Sequence, residues 1–205
     1  MISDEVLRNQ TVHRSLVRAL AFPGLPGLLL PEELTPPSVT QVSPAVALIC
    51  RTLLDREVTF SLLSEDTLRD TPQLAQLTYA RPAPASEAQY IFVTSPKVDP
   101  APVLAEAPVG TPEAPHLGAT IVLTVEALGV RTGSGTDKVY RLQGPGIESF
   151  REVVIDTPWD WLSPRSQKLD ELPLGIDIFF IDYHANVLGL PRTTVVESLE
   201  SGEGA

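Results

Sequence analysis

A carboxylate, a guanidinium and two hydroxyls near the end of the chain are the residues best suited to chemistry. Asp177 interrupts an apolar run, and Arg192, Thr193 and Thr194 follow Pro191. A buried carboxylate is costly unless it is ionised beside a partner or accepts several hydrogen bonds, and arginine offers a fork of donors. The four residues therefore form either a structural tie that fixes two strand ends or an oxyanion or phosphate pocket. On this stretch alone we favour the tie.

Two adjacent antiparallel strands at the centre of a sheet are expected to position these residues. The β-branched and aromatic run over 176–181 favours a strand buried on both faces. Residues 183–186 form a polar break of hairpin length, and the apolar pattern resumes over 187–190. Pro173 and Pro191 cannot donate to a ladder, so each is expected to mark a strand end. Such a short hairpin can bring the carboxylate back near the arginine.

The rest of the sequence shows no familiar catalytic pattern. It has no HExxH or paired-cysteine spacing, no glycine-rich phosphate loop and no GxSxG elbow. The three histidines lie far apart, and no lysine sits in an apolar setting suited to a Schiff base. The histidines are His13, His116 and His184, and the lysines are Lys97, Lys138 and Lys168. We therefore predict no self-contained active site, no metal and no cofactor.

The composition indicates one cytoplasmic domain spanning residues 1–205, with flexible ends at 1–3 and 199–205. The net charge of −11 argues against nucleic-acid and anionic membrane partners, although it leaves room for a local basic pocket. No apolar run approaches the length of a membrane span, and no secretory signal precedes the first helix. Cys50 is the only cysteine, so no disulfide can form within the chain.

Strands alternate with helices along the chain, which predicts an α/β domain. The expected helices are an amphipathic one over 4–21, a buried one over 44–54 capped by Ser43, a short one that stops before Pro72, and one over 158–171. The expected strands include 57–63, 90–93, 120–125 and 153–155, and a hairpin is expected whose tip is Gly133-Ser134-Gly135.

Trp159 and Trp161 lie on the last predicted helix. Large aromatic side chains serve either as anchors in a core or as contacts between subunits. We take the pair, together with the proline-rich segment of the first half, as a candidate interface, and an anchor onto the sheet is the other interpretation.

Four stretches occur in a fixed order along the chain. They are Leu16-Val17-Arg18-Ala19-Leu20 with Pro23-Gly24; Gly110-Thr111-Pro112-Glu113 with Gly118-Ala119-Thr120; Arg141-Leu142 with Gly144-Pro145-Gly146-Ile147; and Pro173-Leu174-Gly175-Ile176-Asp177 with Pro191-Arg192-Thr193-Thr194 and Glu197. Together they resemble the PhnH family, the H subunits of the bacterial carbon–phosphorus lyase system. The sequence departs from the family at His13, where phenylalanine is usual, and in a longer tip around Gly133-Ser134-Gly135.

This resemblance implies a three-layer α/β/α fold with a mixed sheet, like the large domain of pyridoxal-phosphate-dependent aminotransferases but without the cofactor site. It also implies a homodimer that joins the G, I and J subunits in a core complex. That complex helps to convert alkylphosphonates and ATP to a ribose 1-phosphonate 5-triphosphate and later supports cleavage of the carbon–phosphorus bond. The resemblance supplies no established catalytic residue for the H subunit.

Three hypotheses of function follow. The first is a non-catalytic or substrate-organising subunit of phosphonate metabolism. The second is an independent enzyme with a pocket at Asp177, Arg192 and Thr193, which turnover by the isolated chain would reveal. The third is a module that binds a phosphorylated ligand without turnover.

Overall fold

The computed structural model describes residues 4–30, 42–130, 138–168 and 172–199. Its helices are α1 (Asp4–Ala21), α2 (Pro44–Leu53), α3 (Thr67–Thr78), α4 (Ala101–Glu106) and α5 (Leu162–Ser166). Its strands are β1 (Gly27–Leu28), β2 (Thr59–Leu63), β3 (Arg81–Pro82), β4 (Tyr90–Val93), β5 (Thr120–Thr124), β6 (Ala127–Val130), β7 (Val139–Gln143), β8 (Arg151–Asp156), β9 (Asp177–Ile181), β10 (Asn186–Leu190) and β11 (Val195–Leu199). The predicted tip at 133–135 lies outside the described residues. So do the terminal segments predicted to be flexible, except Leu199, which ends β11.

Seven strands form a mixed sheet in the order β1-β10-β9-β5-β4-β2-β3. The strands from β3 to β9 pair in parallel, and β9, β10 and β1 pair antiparallel. The antiparallel pair predicted over 176–181 and 187–190 is therefore confirmed as β9 and β10. The pair lies inside the sheet, because β5 pairs with the other side of β9 and β1 with the other side of β10. In this arrangement β9 begins at Asp177 and β10 ends just before Pro191.

The mixed sheet is buried on both faces. Along β9, Ile178 and Phe180 enter one apolar cluster, whereas Phe179 and Ile181 enter the other, as the two-residue period of a strand requires. On the second face Gly189 allows α1 to lie close against β10, because a Cβ at Gly189 would be 2.5 Å from the carbonyl carbon of Ala19.

Helices α1, α2 and α3 cover one face of this sheet. The predicted cap of α2 is confirmed: the Ser43 hydroxyl accepts a hydrogen bond from the Val46 amide at 3.3 Å, and Pro44 opens the helix. Burial of α2 is confirmed as well, since Ile49 and Cys50 are fully buried.

The expectation that the third helix stops before Pro72 was wrong, because α3 continues to Thr78. Pro72 has no amide hydrogen for the carbonyl of Leu68, four residues earlier. Leu68 is 91% exposed, so water can satisfy that carbonyl, and beyond the proline Leu74 is buried in the core. Packing of the later turns thus overrides the local cost of the proline.

The other face of the mixed sheet is covered mainly by a second sheet. This four-stranded antiparallel sheet has the order β11-β7-β8-β6, and α4 and α5 pack beside it. Mixed α/β architecture is therefore confirmed, but a three-layer α/β/α arrangement needs correction, because strands supply most of the layer that was expected to be helical. The predicted hairpin around 133–135 also needs correction, because β8 lies between β6 and β7 and pairs with both.

The helix predicted over 158–171 is much shorter than expected. Helix α5 spans only Leu162–Ser166, and the structure describes the chain up to residue 168 before the next gap. Pro164 lies within this helix, and a proline is tolerated best in a first turn, where its missing amide hydrogen has no intrahelical acceptor. None of the helices in the described ranges is long and apolar enough to span a bilayer.

Candidate functional site

The structure brings Asp177 and Arg192 into direct contact. The Asp177 carboxylate accepts hydrogen bonds from the Arg192 backbone amide at 2.8 Å, from Nε at 3.2 and 3.3 Å, and from Nη2 at 2.6 Å. Both side chains are about four-fifths buried, with 21% of Asp177 and 16% of Arg192 exposed. This two-pronged geometry is the strong form of an arginine–carboxylate pair.

The remaining branch of Arg192 is also engaged. Its Nη1 donates to the carbonyl oxygen of Pro115 at 2.7 Å, so every guanidinium nitrogen has an acceptor. Gly118 makes this approach possible, because a Cβ there would lie 2.7 Å from Nη1 and would collide with the carbonyl of Gly175. Each guanidinium nitrogen thus donates to an acceptor within the protein, and these contacts hold the side chain in one orientation.

The pair lies where the chain passes from one sheet to the other. Strand β10 ends at Leu190 in the mixed sheet, and β11 begins at Val195 in the antiparallel sheet. The four residues between them form a turn in which the Thr194 amide donates to the carbonyl of Pro191 at 3.0 Å. Asp177, at the start of β9, therefore holds the first part of this crossover.

The two threonines of the predicted pocket do not share one environment. Thr193 is exposed, whereas Thr194 is buried with 1% of its surface accessible. The Thr194 hydroxyl has no hydrogen-bond partner. The structure therefore brings together Asp177 and Arg192 but does not present Thr193 and Thr194 as a common pair of hydroxyls.

Arg165 is the residue of this region that the sequence analysis missed. It is fully buried, and its Nη2 donates to the carbonyls of Pro191 at 3.0 Å and Thr194 at 2.9 Å. Burial lowers the pKa of Arg165 to about 10, while the Asp177 carboxylate acts in the opposite direction, so the guanidinium stays protonated at neutral pH. Its Nε and Nη1 have no partner. No motif in the local sequence distinguishes this arginine from an exposed one.

Two arginines thus fix the crossover at residues 191–194, each through contacts with a different element. Arg192 ties it to β9 and to the carbonyl of Pro115, and Arg165 ties it to α5. Asp177 is the carboxylate that acts on both cations. Chemically, this arrangement fixes backbone geometry and pairs buried charges.

Cys50 is buried, and two of the lysines contact other groups of the chain. Cys50 is fully buried on the opposite face of the mixed sheet, and burial raises the pKa of its thiol, so it is not a thiolate at neutral pH. Lys97 pairs with Glu65 at 3.7 Å, and Lys168 donates to the carbonyl of Ala107 at 3.2 Å. Within the described ranges, no three histidine, cysteine or acidic side chains lie close enough to hold a metal ion.

The candidate interface at Trp159 and Trp161 needs correction in its location. Trp159 is 8% exposed, and its indole Nε1 donates to the carbonyl of Pro96 at 2.8 Å. Trp161 is fully buried, with its ring centroid 4.9 Å from that of Tyr140 and 4.8 Å from that of Phe180. Both indoles anchor their segment onto the mixed sheet, so neither offers its ring to a second subunit. Whether the chain self-associates stays a prediction.

Arg192→Lys is expected to lower the free energy of unfolding of the isolated chain by about 1–2 kcal/mol, because lysine keeps the charge but loses the fork that reaches Asp177 and Pro115 together. Urea denaturation followed by circular dichroism measures this. Arg56→Lys is the control, since Arg56 is exposed. Unchanged stability combined with lost binding of a phosphorylated ligand would instead assign Arg192 to recognition.

Comparison with known proteins gives two matches across nearly the whole chain. A family model described as "Bacterial phosphonate metabolism protein (PhnH)" matches residues 1–197. The chain is also 29% identical over 203 residues to a protein of Rhizobium meliloti (strain 1021) named "Alpha-D-ribose 1-methylphosphonate 5-triphosphate synthase subunit PhnH". That alignment covers 95% of this chain and 93% of the relative. The family match therefore includes the mixed sheet, the crossover at 191–194 and all of the second sheet except the last two residues of β11.

Proposed function

Because the chain belongs to the PhnH family of bacterial phosphonate metabolism proteins, we propose that it is a subunit of an alpha-D-ribose 1-methylphosphonate 5-triphosphate synthase in the carbon–phosphorus lyase pathway. Its role there is non-catalytic or substrate-organising. The observation that carries this proposal is the family match over residues 1–197, supported by a relative that is itself named as a subunit.

The contacts of the candidate site favour an organising role over catalysis. The Arg192 guanidinium, which an independent phosphate pocket would need, already donates from every nitrogen to Asp177 or Pro115. The Cys50 thiol is buried and protonated. A subunit of this kind contributes shape and contact surface to an active site that its partners complete.

The proposal extends to partners, location and fold relationship. The chain works in the cytoplasm, joins the G, I and J subunits and forms a homodimer when it is free of them. Its mixed sheet with helices on one face is related to the large domain of pyridoxal-phosphate-dependent aminotransferases, without their cofactor. The support for these points is the resemblance of the four sequence stretches to the family.

Reconstitution tests the proposed function. The companion G, I and J subunits are incubated with ATP and methylphosphonate, with and without this chain, and ³¹P NMR follows the ribose 1-methylphosphonate 5-triphosphate that forms. We expect the chain alone to give no product. Leaving the chain out of the mixture with the G, I and J subunits is expected to lower the rate of product formation at least about tenfold. Turnover by the isolated chain would show an independent enzyme, and full activity without the chain would remove it from the synthase.

Calorimetry separates the proposal from a simple ligand-binding module. Titration of the isolated chain with ATP, and separately with inorganic phosphate, is expected to give no saturable heat of binding. Saturable binding that Arg192→Lys abolishes would favour the binding module.

A further inference from the structure

Helix α1 borders two open depressions on different flanks, one facing β1 and the other facing α2. One, of about 420 Å³, lies between the second half of the helix and β1 and includes Arg18, Phe22 and Leu25 in its lining. The other, of about 510 Å³, lies beside the first half of the helix and includes Arg14 and Arg51. We call the surface from Arg14 to Leu28, which includes the first depression, the α1 face.

The α1 face is basic although the protein is strongly acidic. The sequence from residue 6 to residue 30 contains three arginines and one histidine but no aspartate or glutamate, in a chain whose net charge is −11. Neither depression has a carboxylate in its lining. Arg14 and Arg18 are exposed and lie one helical turn apart on the same side of α1. The Glu5 carboxylate near the second depression pairs with Arg51, at 3.3 Å.

Large apolar side chains lie exposed beside these cations. Val17 is 53% exposed, Phe22 48%, Leu25 43% and Leu28 52%. The guanidinium of Arg18 lies over the Phe22 ring at 5.9 Å from its centroid. Leu28 belongs to β1, which is a short edge strand of the mixed sheet. Clustered apolar residues of this kind beside charged ones are typical of protein-binding surfaces rather than of scattered surface hydrophobics.

We propose that the α1 face binds an amphipathic segment of a companion subunit, whose acidic side chains pair with Arg14 and Arg18 and whose apolar side chains fill the depression around Phe22 and Leu25. This inference rests on the proposed function, which supplies the companion. Opposite charges at the rim orient such a segment, and the buried apolar contacts hold it.

The charge of the α1 face argues against the other occupants. In a two-fold dimer through this face, each copy would offer the other the same carboxylate-poor surface, so the arginines would gain no opposite charge. Nucleic acid would meet a few arginines on a protein of net charge −11, which repels a polyanion overall. An acidic and apolar protein segment satisfies both the cations and the exposed side chains.

Charge reversal tests the proposal in the assembled system. The tagged full-length chain is co-expressed with the G, I and J subunits as parent, as the double variant Arg14→Glu/Arg18→Glu, and as the control Arg56→Glu, whose arginine is exposed outside the α1 face. We expect the double variant to recover at least about tenfold less of the companions, because reversed rim charges repel an acidic segment, while its thermal midpoint equals that of the control.

The outcomes distinguish an error in the docking surface from an error in the proposed function. If the double variant and the control both recover the companions like the parent, the α1 face is not the docking surface, although the proposed function stands. If the parent recovers none of them, the proposed function fails and this inference fails with it.

Photo-cross-linking identifies the occupant. A photoreactive phenylalanine analogue is placed at position 22, and a control carries it at position 68, which is 91% exposed on α3. A cross-link to a G, I or J subunit from position 22 and not from position 68 supports the proposal. A cross-link to a second copy of this chain, or none from position 22 in the assembled complex, overturns it.

Discussion

Phe180→Ala is expected to lower the free energy of unfolding by about 3–5 kcal/mol, the range for truncating a buried aromatic residue. Phe180 is fully buried on the face of β9 that meets the antiparallel sheet, and its ring packs edge-on against Trp161 at 4.8 Å between centroids. Phe180 is paired with Leu123 of β5 on one side and Leu188 of β10 on the other. Because hydrogen-bonded strands hold both sides, the neighbouring backbone cannot move in to fill the cavity that the substitution leaves.

Denaturant titration of the variant and the parent measures this loss. Phe150→Ala is the matched control, because Phe150 is 52% exposed and its ring contacts the Arg141 guanidinium, which lies 4.9 Å from the ring centroid. An exposed cation–π contact of this kind contributes about 0.5–1 kcal/mol. A Phe180→Ala midpoint close to that of Phe150→Ala would contradict the burial assigned to β9.

The strand pair around Phe180 was predictable because its signal is local. A short run of β-branched and aromatic residues, a polar break and a second apolar run specify two neighbouring strands without reference to the rest of the chain. The cap of α2 was predictable for the same reason, since Ser43 and Pro44 act on amides within one turn. Both predictions depended on residues that contact their sequence neighbours.

The pairing of the second sheet was not predictable from such local signals. Strands β6 and β7 flank a glycine-rich stretch, which favours a hairpin between them, yet each pairs with β8 instead. Strand β11 joins the same sheet from the end of the chain. Which strands pair across such separations is decided by burial of their apolar faces in three dimensions, and the local pattern carries none of that information.

Burial of individual polar and aromatic residues was equally hard to anticipate. Arg165 and Trp161 lie four residues apart in a short, proline-containing segment that resembles a surface helix. Both are fully buried because this segment packs between α4, the crossover and the mixed sheet. Arginine is seldom fully buried, so the residue type alone favours an exposed position for Arg165. The contact of Asp177 with Arg192 was foreseeable as one of two alternatives, since the hairpin returns the chain to the start of β9.

Asp177→Ala is expected to lower the free energy of unfolding by about 2–4 kcal/mol. This lies at or slightly below the range for removing one partner of a buried ion pair, because 21% of the Asp177 side chain is exposed. The substitution leaves the Arg192 amide and two branches of its guanidinium without their acceptor. It also removes the carboxylate that offsets the buried charge of Arg165. Equilibrium unfolding of the isolated chain gives the loss, with Asp156→Ala at the exposed end of β8 as control, expected to stay within about 0.5 kcal/mol.

Asp177→Asn divides this effect between charge and hydrogen bonding. Asparagine keeps an oxygen that can accept from the Arg192 amide at 2.8 Å, but it leaves both arginines without a counter-charge. If the pair is a structural tie, both variants lose stability, Asp177→Ala more than Asp177→Asn, and a double variant with Arg192→Lys loses less than the sum of the single changes because the two residues form one unit. A strictly additive double variant would show that the residues act independently. If Asp177→Ala is as stable as the parent but no longer supports growth on methylphosphonate, the pair acts directly in the assembled synthase and does not serve to hold the crossover.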